Sequence, residues 1–194
     1  MNPVPIVLAS SSPYRRALLA RLRVPFEVSA PDVDETALPG EKPRETALRL
    51  AQDKARAVAA RFPAALIVAS DQVATLDGLV LGKPNNHENA VAQLRSLRGR
   101  SAVFHTALVV LNSARDAMQA TEVPTTVHFR AYSDTEIERY LALEQPYDCT
   151  GSAKIEGLGI VLVERVVGDD PSALVGLPLV QLASMLRKEG VALP

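Results

Sequence analysis

An apolar run from Val4 to Ala9 ends in Ser10-Ser11-Ser12-Pro13-Tyr14-Arg15-Arg16 and passes into Ala17-Leu18-Leu19, the pattern of a strand feeding a helix through a hydroxyl-rich turn. The first N–H groups of such a helix have no partner inside it and lie at the positive end of its dipole. Serine hydroxyls and a pair of guanidinium groups in the same place make a set of donors suited to an anion such as phosphate. A plainer role fits the same residues: Ser12 as N-cap, Pro13 at the first helical position and the arginines solvated.

Further along, charges stand where apolar residues are expected. A helix expected from Pro43 to Arg61 puts Ala47, Leu50, Lys54 and Val58 on one face, so Lys54 lies on the buried stripe. Its ammonium either snorkels out at the edge of the core or points at an anion. The run Ala64 to Ala69 is continuously apolar, as in a strand covered on both faces, and is interrupted by Ser70-Asp71-Gln72 before Val73 to Leu76 resumes. An aspartate between two apolar runs needs a partner, because buried carboxylates are rare unless paired or metal-bound. Asp77-Gly78 predicts a hairpin into Leu79 to Leu81, which would return Lys83 of Gly82-Lys83-Pro84 toward the Asp71 end. Lys154 and Glu156 flank Ile155 in the stretch Gly151 to Gly159, whose glycines allow close backbone approach to a ligand. Together with Glu35 in the acidic loop Pro31 to Lys42, these cations and carboxylates form a set suited to phosphate chemistry: cations cradle a polyphosphate, while carboxylates hold a divalent metal and position a water.

The remaining elements are scaffolding. The first helix is expected to run from Pro13 to Leu22 with Ala17, Leu18 and Leu22 inward, and Phe26 to Ser29 reads as a short strand. Asn86 to Leu97 is amphipathic, Ala102 to Leu111 and Val123 to Ala131 read as antiparallel neighbours, and Ser133 with Glu136 forms a capping box for a helix to Leu143. A strand from Ile160 to Val167 and a last helix ending near Gly190 complete the chain. His87, His105 and His128 have no shared metal-ligand spacing and are read as structural.

Composition narrows the partners. The chain has 194 residues, 47% of them hydrophobic, enough for one core, and no linker divides it, so residues 1–194 are expected to form a single domain. A net charge of −1 argues against a nucleic acid polymer or an anionic membrane as partner and favours a small ligand. Cys149 is the single cysteine, which excludes an intrachain disulfide and fits a reducing cytoplasm. With no basic leader and no apolar run of about 18 residues, neither secretion nor membrane insertion is expected.

In order along nearly the whole chain, the Ser-Ser-Ser-Pro-Tyr-Arg-Arg turn, Asp32-Val33-Asp34-Glu35, Lys54, Ser70-Asp71-Gln72-Val73, Gly82-Lys83-Pro84 and Leu174-Val175-Gly176-Leu177-Pro178 resemble the Maf family of nucleoside triphosphate pyrophosphatases. The resemblance implies a Maf/Ham1-like (ITPase-like) α/β fold, with a central mixed twisted sheet flanked by helices and two lobes around a cleft. It also implies hydrolysis of a nucleoside triphosphate to the monophosphate and pyrophosphate with a divalent metal, Mg²⁺ or Mn²⁺. Carried over by position, Asp71 accepts a proton from the attacking water, Glu35 and Asp71 bind the metal, and Ser10, Ser12, Arg15, Lys54 and Lys83 hold the triphosphate. Tyr14, Gln72 and Glu156 stand at the positions that distinguish substrates, and with Tyr147-Asp148-Cys149-Thr150-Gly151-Ser152 they resemble the branch that hydrolyses 7-methyl-GTP. By the same resemblance a tryptophan is common at this position in that branch, and this chain departs from it with Tyr14. The chemistry agrees: an aromatic face and a carboxylate both favour a cationic methylated guanine. Broader activity on dTTP, UTP or modified triphosphates, and a non-catalytic nucleotide-binding role in cell division, are the alternatives. Relatives are often dimers, so a homodimer is an open expectation.

Overall fold

The computed structural model describes residues 4–193. The chain alternates helices and strands: β1 (Ile6–Ala9), α1 (Pro13–Ala20), β2 (Glu27–Val28), α2 (Pro43–Ala59), β3 (Leu66–Leu76), β4 (Leu79–Leu81), α3 (His87–Leu97), β5 (Ser101–Asn112), β6 (Ala117–Phe129), α4 (Asp134–Glu144), β7 (Val163–Val167) and α5 (Leu179–Lys188). Their hydrogen bonds make one seven-stranded sheet in the order β2-β1-β3-β5-β6-β7, with β4 also paired to β3. β1 runs parallel to both β2 and β3, whereas β3–β4 and β6–β7 are antiparallel, so the sheet is mixed.

Two compact units divide the chain: Met1–Gln72, His105–Val123 and Asp170–Pro194 in one, Val73–Phe104 and Pro124–Asp169 in the other. The first is built around β2-β1-β3. Because β1 is succeeded by β2 on one side and flanked by β3 on the other, the strand order reverses at β1, and in open parallel sheets ligands bind outside the carboxyl ends of the strands at such a point. Ala9, the last residue of β1, pairs with Ala69, so Ser10 and Asp71 both follow just beyond that rung. Beneath it, Leu8, Leu19, Leu66, Val68, Leu108, Leu182 and Leu186 form a core with Leu177 and Met185.

The loop between β2 and α2 is pinned to the helix by an ion pair. Arg49 of α2 donates from Nε to Glu41 Oε1 at 2.7 Å and from an Nη to Oε2 at 2.8 Å, and it also donates to the Thr36 carbonyl at 3.1 Å and to Asp53 Oδ2 at 3.4 Å. Glu41 also accepts from the Leu38 N–H and the Thr46 hydroxyl. These donors, Arg49 above all, hold the Glu41 carboxyl down at about 2. In the second unit the hairpin forms at Asp77-Gly78 as the dipeptide predicts, both residues adopting the positive φ of a type I′ turn, 49° and 81°.

The structure differs from the expected elements at several places. Ser70-Asp71-Gln72 does not interrupt the strand: β3 is continuous for 11 residues, because Asp71 finds a buried partner and can stay in the ladder. Ala17 is exposed and Leu19 takes its place in the core, since α1 turns its 18–19 edge to the sheet. Residues Leu158–Leu162 form a 3₁₀ turn, so β7 begins only at Val163. β6 starts earlier than its apolar run, at Ala117, through a partly exposed polar stretch that pairs with β5.

A pH dependence follows from the Arg49–Glu41 clamp. A carboxyl whose folded pKa lies below its unfolded value, here about 2 against 4.5, stabilises the fold above pH 4.5 and loses that contribution as pH falls toward 2. Glu41→Gln should therefore lower the melting temperature at pH 7, and the gap to the native protein should close between pH 4.5 and about 2; thermal melts across that range check it.

Candidate active site

Lys54 projects from the buried stripe of α2 as the helical spacing requires, and its residue is only 4% exposed. An ammonium cannot stay there uncompensated. Its Nζ lies 2.6 Å from Asp71 Oδ1 and 2.7 Å from Glu35 Oε1, so a buried carboxylate from β3 and one from the β2–α2 loop converge on a single cation. Asp71 is itself 6% exposed, while the Glu35 side chain is 63% exposed, placing the cluster at the edge of the core rather than its centre.

Arg15 lies in the same electrostatic field. Burial pushes its guanidinium pKa down, and the negative charges of Asp71 and then Glu35 oppose that shift. Its Nε donates to the Gly176 carbonyl at 2.9 Å, which leaves the terminal amino groups of the fork for another acceptor. The serines preceding it organise the turn: Ser10 Oγ accepts the Ser12 N–H at 3.1 Å, and Ser12 Oγ accepts the Arg15 N–H at 3.3 Å as the N-cap of α1. Accepting a backbone N–H does not consume the hydroxyl's own proton, so a capping serine can still donate to an anion. Tyr14 sits half-buried in the first turn of the same helix. The structure thus groups Lys54, Asp71 and Glu35, with Arg15 close enough to feel both carboxylates.

Gln72 is placed differently. Side chains alternate along a strand, so Ser70 and Gln72 face away from Asp71. Gln72 Nε2 lies 2.8 Å from Thr106 Oγ1 and 3.1 Å from the carbonyls of both Ala173 and Leu174. The turn that receives it is held at its other end by Asp170 and Ser172, which accept the Val180 and Leu179 N–H groups at the start of α5. Ser70, on the same face, has its hydroxyl 2.8 Å from the Gly176 carbonyl, and neither this contact nor the long-reach bonds from Asp170 and Ser172 to α5 has a local sequence signal.

Lys83, Lys154 and Glu156 belong to the second unit. Lys83 is exposed on the loop after β4, which is tied to the 147–152 segment by Asn85 N–H to the Tyr147 carbonyl and Gly151 N–H to the Gly82 carbonyl. Lys154 pairs with Glu144 at 2.8 Å rather than with its neighbour Glu156, and Glu144 also accepts the Leu158 N–H at 2.7 Å. Gly159 explains the tight wrapping: a Cβ there would meet the Lys154 carbonyl oxygen at 2.5 Å. Glu156 extends from this turn, and its carboxyl is pushed up, first by burial and then by the negative charges of Glu144 and Asp148, with Lys154 opposing.

Glu35 and Asp71 suit a small divalent cation, because the ammonium between them already shows that both reach one positive charge. Among the described residues no group of three or more His, Cys, Asp or Glu side chains could hold a metal ion. That donor set matches Mg²⁺, which is typically bound by one or two carboxylates and completed by water and substrate phosphates. Lys54→Met should leave Asp71 buried without its cation and destabilise the fold by about 3 kcal/mol. The loss should shrink when Asp71→Asn is added, as denaturant titration of the single and double variants would show.

The family profile described as Maf-like protein matches residues 5–189. The chain is 62% identical over 187 residues to the 7-methyl-GTP pyrophosphatase of Methylobacillus flagellatus, covering 96% of this chain and 97% of that protein. Proteins of the same name from Polaromonas sp. and Nitrosospira multiformis are 59% and 57% identical, over 97% and 96% of this chain and 86% and 94% of theirs. Among solved structures it is similar to the Staphylococcus aureus Ham1 protein, with a TM-score of 0.48 and 18% identity over 66% of this chain and 72% of that one. With a family profile spanning nearly all of the chain and full-length relatives above half identity, this protein belongs to the Maf family.

Proposed function

We propose that this protein hydrolyses 7-methyl-GTP to 7-methyl-GMP and pyrophosphate. The observation that carries the reading is the clasp of Lys54 by Asp71 and Glu35, in a chain whose full-length relatives bear the name of that activity. Asp71 takes the proton of the water that attacks the α-phosphorus, and the phosphoanhydride bond to the β-phosphate breaks, releasing pyrophosphate. Arg15 and Lys54 hold the triphosphate and stabilise the charge that develops as the bond breaks, with Ser10 and Ser12 donating at the α1 N-terminus. Lys83 is assigned to the same tail by the family resemblance. A divalent cation, Mg²⁺ or Mn²⁺, held by Glu35 and Asp71 would neutralise phosphate charge and make a water more acidic. Because a carboxylate bound to a cation is a weaker base, Asp71 divides its role between orienting the water and taking its proton.

For the base, Glu156 can accept from guanine N1–H and N2–H together, and its charge favours the methylated, cationic ring over GTP. Tyr14 offers an aromatic face worth about 0.5 to 2 kcal/mol to such a ring. The reading locates the enzyme in the cytoplasm with the nucleotide pool; the single cysteine, Cys149, accords with reducing surroundings, and no helix among the described residues is long and apolar enough to cross a membrane.

Steady-state rates with Mg²⁺ on 7-methyl-GTP, GTP, dTTP and UTP test the substrate. The expected order places 7-methyl-GTP first, and Asp71→Asn should lower kcat by about a hundredfold or more. A preference for dTTP or UTP contradicts the substrate, and undiminished hydrolysis by Asp71→Asn contradicts the role of Asp71. Glu156→Gln should lower kcat/KM for 7-methyl-GTP by about tenfold and for UTP by less. The same change should raise the melting temperature at pH 7. The folded pKa of Glu156 lies above its ordinary 4.5, so the ionised carboxylate opposes folding at neutral pH, and the gain should vanish as pH falls below 4.5. An unchanged melt contradicts the raised pKa of Glu156, and equal kinetic loss on both nucleotides contradicts its assignment to the base.

A further inference from the structure

We propose that Asn89 and Gln93, one turn apart on α3, are positioning residues that hold the backbone of the Gly82-Lys83-Pro84 segment and so fix the point from which Lys83 reaches the triphosphate. The proposal rests on the assignment of Lys83 to that tail.

Three consecutive carbonyls carry the connection. The segment lies between β4 and α3, outside any strand or helix, so its carbonyls have no partner in regular structure. Each nevertheless accepts a side-chain amide: Gly82 from Gln93 Nε2 at 3.0 Å, Lys83 from Asn85 Nδ2 at 3.2 Å and Pro84 from Asn89 Nδ2 at 2.9 Å. Asn89 and Gln93 are four residues apart on α3 and therefore share a face. Asn86 already caps that helix by accepting the Asn89 N–H at 2.9 Å, so its start is served without their amide groups.

The direction of the Gln93 amide is itself fixed. Ser152 Oγ donates to Gln93 Oε1 at 2.6 Å, which turns Nε2 to the Gly82 carbonyl; reversed, two oxygens would face each other there. Ser152 is wholly buried and holds φ 58°, a left-handed conformation that persists in serine only where surrounding contacts determine it. The Gly82 carbonyl takes a second donor, the Gly151 N–H at 3.3 Å, so both of its lone pairs are used. Lys83 itself is exposed, and its own and flanking carbonyls carry the anchoring. The amides thus fix the root of a long side chain and not its charged end. Ordering that root before a ligand arrives lowers the entropy cost of bringing the ammonium to phosphate.

Kinetics on two nucleotides and backbone relaxation test the proposal. Gln93→Met keeps the length of the side chain but removes its donor, and should lower kcat/KM by about fivefold for 7-methyl-GTP and UTP alike, because the tail is common to both. The loss should fall below about twofold in the Lys83→Met background. In ¹⁵N-labelled protein the order parameter of the Lys83 backbone amide should drop from about 0.85 to below about 0.6 in Gln93→Met. Asn89→Ala, which leaves Ser152 untouched, should give the same three results, and it supplies the reading should Gln93→Met fail to fold. A loss confined to 7-methyl-GTP would show that Gln93 acts through Ser152 on the turn bearing Glu156, and it overturns the proposal. A loss undiminished beside Lys83→Met, or an unaltered order parameter, overturns it as well. If Lys83→Met alone leaves hydrolysis intact, the assignment of Lys83 to the triphosphate falls, while the order parameter still decides whether the amides hold the segment.

Discussion

A lysine ammonium buried at 4% exposure has to be compensated, and the first unit of this protein is arranged so that it is. Desolvating a single charge costs several kcal/mol, far more than a typical hydrogen bond returns, so Lys54 is tolerable on the apolar stripe of α2 only with carboxylates beside it. Asp71 supplies one from within β3 and Glu35 another from the β2–α2 loop. That requirement spreads outward. The loop must be held against α2, which the Arg49–Glu41 pair does, and β3 must stay straight through Asp71, which its 11-residue ladder does. The cluster is expensive for a merely structural feature, since apolar residues of similar volume are often as stabilising as a buried ion pair. Convergent opposite charges at a strand end, near the point where the order of parallel strands reverses, suit chemistry on a small charged ligand.

The opposite face of β3 has a different task. Polar side chains there, Ser70 and Gln72 with Thr106 of β5, donate to backbone carbonyls of the turn between Ala173 and Gly176. A strand that offers a charged residue to one side and hydroxyl and amide groups to the other serves two layers at once. The consequence for Arg15 is geometric: its Nε is engaged by a turn residue distant in sequence, Gly176, before any ligand arrives. Preorganisation of this kind lowers the cost of ordering a long side chain around a phosphate.

Much of this was legible in the residues. The 3.6-residue period placed Lys54 on the buried stripe, and burial of a charge then demanded an anion; Ser12-Pro13 marked the start of α1; Asp77-Gly78 marked the hairpin. What could not be read were contacts between segments far apart in sequence. Glu144 as the partner of Lys154 and the turn at Ala173–Gly176 as the partner of Gln72 have no local periodicity to announce them. The apparent break at Ser70-Asp71-Gln72 misled for a related reason, because hydropathy alone does not distinguish a polar loop from a strand whose polar side chains all find buried partners. The start of β7 was placed early since Ile160 to Leu162 are apolar, yet a 3₁₀ turn closes over them.

The most direct test of the account is a crystal structure with a 7-methyl-GTP analogue carrying a methylene group between the α- and β-phosphorus atoms. The account predicts triphosphate oxygens within hydrogen-bond distance of Lys54 Nζ and the terminal amino groups of Arg15, with the α-phosphorus beside Asp71. A triphosphate bound elsewhere, with Lys54 Nζ still clasped by Glu35 and Asp71, would contradict it.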